Sequence, residues 1–287
     1  MTRVLTRVRL LAASSHPGPT VVVTLLAVVL AVALAYGPGR VLAVAATVFV
    51  GQLSIGFAND WIDADRDRMV GRADKPVARG LIAAGTVRTA ALVCAALTFV
   101  ASFALGLPAG IAHVVLVGSG WAYDGGLKRT PLSVVPFVLS FGLLPAVVTL
   151  AGPHPVWPAT WCVATGAVFG IAIHFTNVLP DLADDRATGV VGLPHRLGRR
   201  RTGVVAFLAL VAAAALVLVG QGVGPDAVAG VRLTLAVTGA ALTAVIAIAG
   251  MAVALTRPPT RLLFRLVMAA SVLLVVQLAF SGTRLIA

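Results

Sequence analysis

Apolar residues fill most of this chain in long blocks, and polar residues are held to the short intervals between them. Nine blocks stand out, at about 18–36, 40–59, 85–106, 109–123, 132–151, 158–179, 203–220, 230–255 and 262–282. Crossing a hydrocarbon core of about 30 Å takes roughly 20 apolar residues as a helix. Within that core every backbone amide must be satisfied by the protein itself, which leaves helices and closed barrels. Barrel strands run to only about 10 residues, shorter than these blocks. The pattern therefore predicts an all-α integral membrane protein with nine transmembrane helices. These consume the length, so residues 1–287 form one transmembrane domain with no separate soluble part.

Composition agrees. Hydrophobic residues make up 59% of the chain and charged residues 11%, against about half and a quarter in soluble domains. The blocks are rich in Ala, Val, Leu and Gly, which suits close helix packing in lipid. There are 22 Lys and Arg against 10 acids, all of them Asp, for a net charge of +12. Nine spans with a cytoplasmic N-terminus put 19 of the 22 positive charges on the cytoplasmic side and leave Arg40, Arg232 and Arg284 opposite. That asymmetry is the positive-inside pattern, and it accounts for the basic balance through orientation and anionic lipid, with no nucleic-acid partner. It predicts a multi-pass protein of the cell membrane with its C-terminus on the far side. The run Arg199-Arg200-Arg201 fits the same headgroup role.

Arg3, Arg7 and Arg9 ahead of an apolar block give the start the look of a signal peptide. The block is nearly span length, so an uncleaved first helix is the expectation. Cys94 and Cys162 lie inside apolar blocks and read as small core residues. Trp121, Trp157 and Trp161 fall near block ends, as interface residues do.

The acids are concentrated. Eight of the ten fall in two groups, Asp60, Asp63, Asp65, Asp67 and Asp74 after the second block, and Asp181, Asp184 and Asp185 after the sixth. The groups match in register: Asn59-x3-Asp63-x3-Asp67-Arg68-x2-Gly71 and Asn177-x3-Asp181-x3-Asp185-Arg186-x2-Gly189, at a constant offset of 118. A duplicated four-helix unit is implied, repeat one at about 18–123 and repeat two at about 132–255, with a last helix at about 262–282. Repeats in membrane bundles commonly place the site at their interface. Positions i, i+4 and i+8 share a helical face, so each copy presents an amide and two carboxylates as an oxygen-rich stripe. Crowded carboxylates at a membrane edge repel, and a hard divalent cation relieves this. Oxygen donors suit Mg²⁺, which shares its shell with substrate phosphates, and the stripes hold no Cys or His for zinc. Between the groups, Tyr123…Lys128-Arg129 and Arg72-x-Asp74-Lys75 supply cations suited to diphosphate oxygens.

These motifs together resemble the UbiA superfamily of intramembrane prenyltransferases, and the similarity covers essentially the whole chain. The resemblance implies nine helices around a central cavity capped by a Mg²⁺ site. It also implies a prenyl group moved from a prenyl diphosphate to a small lipophilic acceptor, aromatic or a quinone precursor. Asp60, Asp63, Asp67, Asp181 and Asp185 become metal ligands, with Asp63, Asp67, Asp181 and Asp185 central to catalysis. Asn59, Asn177, Arg72, Tyr123, Lys128 and Arg129 then face the diphosphate. The second motif departs from the pattern: Val178 stands where the first copy has Asp60, and Ala183 where many relatives have an acid. Asp184, beside Asp185, is a candidate substitute ligand.

Other readings compete. A transporter would also use repeats and polar residues, yet the spans carry almost no charge to mark an ion path. Acid clusters that serve only topology would not keep a common register. Within the family, a membrane terpene cyclase and a phosphoribosyl-transferring relative share the ionisation chemistry or the lipid partner. His174 is three positions before Asn177 and either lines the cavity or bonds between helices, the second being the expectation; His113 is read the same way. His16 and Pro17 open the first span near the acceptor entrance that the family implies, where a plain loop role is equally open.

Overall fold

The computed structural model describes residues 2–222, 230–258 and 260–286. The side chains of Arg3 and Arg232, two of the charges counted above, lie outside the described residues. The chain folds into helices α1 Thr2–Ala13, α2 Pro17–Ala33, α3 Pro38–Ile62, α4 Ala64–Met69, α5 Ala84–Ala104 and α6 Leu107–Gly125. They are followed by α7 Val135–Leu150, α8 Thr160–Val178, α9 Leu182–Ala187, α10 Leu193–Leu197, α11 Arg199–Gly220, α12 Val231–Thr256 and α13 Arg261–Ala279. Short 3₁₀ turns sit at Leu127–Arg129, Pro131–Val134, Leu179–Asp181 and Gly282–Leu285.

Each of the nine apolar blocks becomes one long helix: α2, α3, α5, α6, α7, α8, α11, α12 and α13. By length and composition seven helical segments suffice to cross a membrane, or eight if α1 and α2, bent by 73°, count as one span. Helix α6 does not reach that measure, because the buried His113, Ser119 and Asp124 interrupt its apolar run. Nine long helices are thus present among the described residues, of which seven or eight segments have the length and composition of a span.

Local sequence sets the boundaries. Proline occupies the first turn of α2, α3, α6 and α7, where its missing N–H leaves no bond unmade. The two acidic motifs end alike. In each, a long helix is interrupted near the central carboxylate, a six-residue helix follows (α4 or α9), and a glycine with positive φ turns the chain, Gly71 at 66° and Gly189 at 77°. The correspondence runs further at the same offset, with Pro76 matching Pro194, and Gly80 (φ 71°) matching Gly198 (φ 77°).

Packing brings both motifs to one end of the bundle. Gly166 and Gly170 of α8 lie against the backbone carbonyls of Phe141 and Phe137 of α7, so close that a Cβ on either glycine would collide. This Gly-x3-Gly contact is the small-residue packing that lets membrane helices approach closely. Gly56 of α3 makes a similar contact with the Ser15 carbonyl and pins the α1–α2 bend. His16, in the left-handed region at φ 52°, is thereby held above α3.

Candidate active site

The first stripe is not one unbroken α-helical face. Asp63 ends α3 and caps α4, while the backbone bonds Asp63 N–H to Asn59 O (3.0 Å) and Asp67 N–H to Asp63 O (2.8 Å) keep the register. Asp60, Asp63 and Asp67 are each at most 2% exposed. Carboxylates so buried need partners. Lys128 donates to Asp63 Oδ1 at 2.6 Å, and Arg66 Nη2 to Asp63 Oδ2 at 3.0 Å. The Lys75 ammonium bridges Asp60 (3.0 Å) and Asp67 (2.8 Å) and donates to Asn59 Oδ1 (3.1 Å). Burial alone would lower the Lys75 pKa; Asp60 and Asp67 outweigh it and raise the value. His16 Nε2 lies 3.0 Å from Asp60 Oδ1.

The second stripe converges on the first. Arg66 Nη1 reaches across to Asp185 Oδ1 at 2.8 Å, and Arg72 Nη1 to Asp181 Oδ2 at 3.3 Å. Arg261, at the start of α13, donates to both oxygens of Asp181, at 2.8 and 3.1 Å. Asp185 Oδ2 lies 3.3 Å from Nε2 of the buried His195, whose Nδ1 accepts from the Gly192 N–H at 3.1 Å. Arg72 also grips Asp74: the hydrogen bond raises the guanidinium above its ordinary pKa and holds Asp74 well below the usual carboxylate range.

Most of these groups line one polar cavity of about 280 Å³. Asp60, Asp63, Asp74, Asp181 and Asp185 alternate around it with Arg66, Arg72, Lys75, Lys128 and Arg261, five carboxylates against five cations. Beneath lies an apolar chamber of about 220 Å³, walled by α2, α3, α6, α7, α8 and α13. His16, Pro19, Asn59, Tyr123, Asn177 and Phe264 line both spaces and mark their boundary. A charged pocket thus opens onto a greasy one.

Of the residues singled out in the sequence, Asn59, Asp60, Asp63, Arg72, Tyr123, Lys128, Asn177, Asp181 and Asp185 meet at the polar cavity. Asp67 is buried just behind it on Lys75. Arg129 and Asp184 are exposed and absent from the lining. His174 bonds Ser133 Oγ at 3.0 Å and His113 bonds Ser102 Oγ at 2.7 Å, both between elements; neither lines a cavity, although the His174 ring packs behind Tyr123 and Phe137, which do. His16 lies nearer the site than a plain loop residue. The residues the sequence did not single out are Arg66, Arg261, His195 and Asp124. Asp124, buried at the end of α6, accepts from Asn59 Nδ2 at 2.7 Å and lines the apolar chamber. A lone acid at the edge of an apolar block is itself a signal, since ionisable residues inside membranes are functional by default.

The oxygen-only donor set fits a hard cation. Among the described residues no three acidic, His or Cys side chains are already drawn around one point. Mg²⁺ does not need such a cage, because it takes one or two carboxylates and completes its shell with water and phosphate. The basic groups now occupying the carboxylates are those a polyphosphate would draw away.

Fold and site together define a multi-pass α-helical membrane protein that presents an acid-and-base pocket above an apolar chamber. The chain belongs to the UbiA prenyltransferase family, which it matches over residues 10–255. Solved structures share the fold. An apo UbiA homolog from Aeropyrum pernix K1 is 20% identical with a TM-score of 0.70, over 90% of this chain and 96% of that one. A UbiA homolog from Archaeoglobus fulgidus bound to GPP and Mg²⁺ is 13% identical with a TM-score of 0.70, over 95% and 99%. A digeranylgeranylglyceryl phosphate synthase structure is 17% identical with a TM-score of 0.68, over 97% and 98%. A comparison with curated proteins gives no match.

Proposed function

We propose that this protein is a Mg²⁺-dependent prenyltransferase that moves an isoprenyl group from a prenyl diphosphate to a lipophilic acceptor, aromatic or a quinone precursor, and releases diphosphate. The observation that carries this reading is the junction of the two cavities. A phosphorylated head and a hydrocarbon tail need a charged pocket continuous with an apolar one, and Asn59, Tyr123 and Asn177 line both. The Archaeoglobus fulgidus relative of the same fold, bound to GPP and Mg²⁺, supports it.

In this reading Asp60, Asp63, Asp67, Asp181 and Asp185 hold Mg²⁺, which when bound neutralises charge on the departing diphosphate. Lys128, Arg66, Arg72, Lys75 and Arg261 turn from the carboxylates to the diphosphate oxygens, and Asn59, Asn177 and Tyr123 set the head at the cavity boundary. The exchange would keep the charges paired: the carboxylates would lose their ammonium and guanidinium partners as they gain a metal, and those cations would gain phosphate oxygens. The allylic cation then forms over the apolar chamber, where scarce water limits hydrolysis before the acceptor attacks. In this reading the charged pocket faces the cytoplasm, which the positive-inside bias of the loop charges supports.

The test is incubation of the purified protein with a C10 prenyl diphosphate, with and without phenolic or quinone-precursor acceptors, with Mg²⁺ or EDTA. Mg²⁺-dependent diphosphate release with a prenylated acceptor is the expected result. Cyclic hydrocarbon formed without acceptor would replace it with the cyclase reading, and no consumption of any donor would end both.

A further inference from the structure

The apolar chamber has a floor. Phe141 of α7 and Phe169 of α8 meet there edge to face, with ring centroids 5.9 Å apart and planes at 75°. Beyond them lies a second, smaller hollow of about 40 Å³, lined on its far side by Cys162, Leu274 and Leu278. Phe141, Phe169, Leu26 and Ser271 belong to both spaces, so the ring pair is the partition between them. The partition is stiff, because the Gly166 and Gly170 contacts that clamp α8 onto α7 flank Phe169 on its own helix.

Helix α8 serves as a ruler. Asn177 marks the polar boundary and Phe169 the floor, eight residues apart, or about 12 Å at 1.5 Å per residue. An isoprene unit adds four backbone bonds of about 1.5 Å and extends roughly 5 Å in a zigzag. Two units fit above the rings, and a third fits only if the tail bends. Cys162 lies seven residues further, about 10 Å, so with the rings gone their space and the second hollow together span the length of two more units.

We infer that the Phe141–Phe169 pair is a length gate that restricts this protein to short donors, of ten to fifteen carbons. The inference rests on the prenyl-donor reading and adds the donor's length class to it. A twenty-carbon tail must displace the rings, coil in the chamber or leave it for solvent or lipid, and a methylene that an apolar pocket cannot take costs about tenfold or more in discrimination.

Binding of unreactive C10, C15 and C20 thiolodiphosphates in Mg²⁺, measured on the detergent-purified full chain, tests this without an acceptor. The native protein should bind C20 at least about tenfold more weakly than C10. Phe169→Ala and Phe141→Ala should bring C20 to within about threefold of C10, and Leu274→Phe added to Phe169→Ala should restore the gap by refilling the hollow. Phe169→Leu and Phe141→Leu carry the same comparison should either alanine variant fail to fold. Equal affinity for C10 and C20 in the native protein, or an unchanged ratio in the opened variants, overturns the gate. Absence of Mg²⁺-dependent binding at every length overturns the donor reading itself and the gate with it.

Discussion

The two acidic motifs share a register and differ in how they are held. In the first, the carboxylates are sealed away and neutralised by Lys75 and Arg66 from their own segment and by Lys128 from the turn after α6, the two lysines being buried with them. In the second, the side chains of Asp181 and Asp185 stay 24% and 12% exposed. Their cationic partners come from elsewhere, Arg66 and Arg72 from the first motif's segment and Arg261 from α13, and only His195 belongs to their own segment. The cause is visible at matching positions. Asp60 corresponds to Val178 and Lys75 to Leu193, so the second stripe lacks an acid and the ammonium that neutralises the first. The two motifs thus form a rigid, buried half and a half that borrows most of its charges.

That difference separates the two central carboxylates. Asp63→Asn should lower diphosphate release from a C10 donor by about 10³-fold, since Asp63 gathers Lys128, Arg66 and Asn59 in one place. Asp181→Asn, at a pair of partly buried arginines, should cost about 10²-fold. Equal losses would show that burial does not distinguish the motifs.

Stability should divide the same way. Asp63→Ala leaves the Lys128 ammonium buried, with Asp124 at 3.7 Å as its nearest remaining carboxylate, and an uncompensated buried charge costs about 3–5 kcal/mol. Asp181→Ala frees arginines that can turn to water, a change of about 1 kcal/mol or less. Thermal unfolding in detergent without Mg²⁺ reads the difference. A larger loss at Asp181 would reverse the assignment of the rigid half.

Much of this contrast was beyond the reach of the sequence. Hydropathy located every long helix, because lipid allows few ways to hide a backbone, and the acids of both stripes stood out against apolar surroundings. The charge partners did not. Arg261 meets Asp181 across 80 residues and Arg66 meets Asp185 across 119, with no motif joining either pair. The stripe geometry was legible only in register, since the break at Asp63 and the 3₁₀ turn ending at Asp181 arise where each helix leaves the bundle. Asp124 sat next to a recognised tyrosine and was passed over, although its isolation in an apolar block was the cue.

His195 sharpens the comparison at smaller scale. Its Nδ1 accepts from Gly192, which puts the neutral ring's N–H on Nε2, buried 3.3 Å from Asp185 Oδ2 and without a hydrogen-bond partner until one of the two shifts. The matching residue in the first copy, Val77, offers no such group, and there Lys75 holds the corresponding Asp67. His195→Ala should raise the Mg²⁺ concentration for half-maximal activity about tenfold and weaken Mn²⁺ binding, read by electron paramagnetic resonance, to the same extent. Glutamine keeps a donor near the Nε2 position, so His195→Gln should recover most of the affinity. Equal losses in both variants would reduce His195 to packing.

The smallest effects belong to the two candidates that the fold leaves outside. Asp184 occupies the position that Arg66 holds in the first copy. An arginine there is long enough to reach back over the site to Asp63 and Asp185, whereas an aspartate ends in solvent beside its own helix. Arg129 follows Lys128 in the 3₁₀ turn, so when the lysine points inward its neighbour points out. Asp184→Ala and Arg129→Ala should therefore each change turnover less than about twofold and stability by no more than about 0.5 kcal/mol, as surface substitutions do. A tenfold loss in Asp184→Ala would mean that the second stripe rearranges on binding metal and recruits the extra carboxylate, making the borrowed half the mobile half as well.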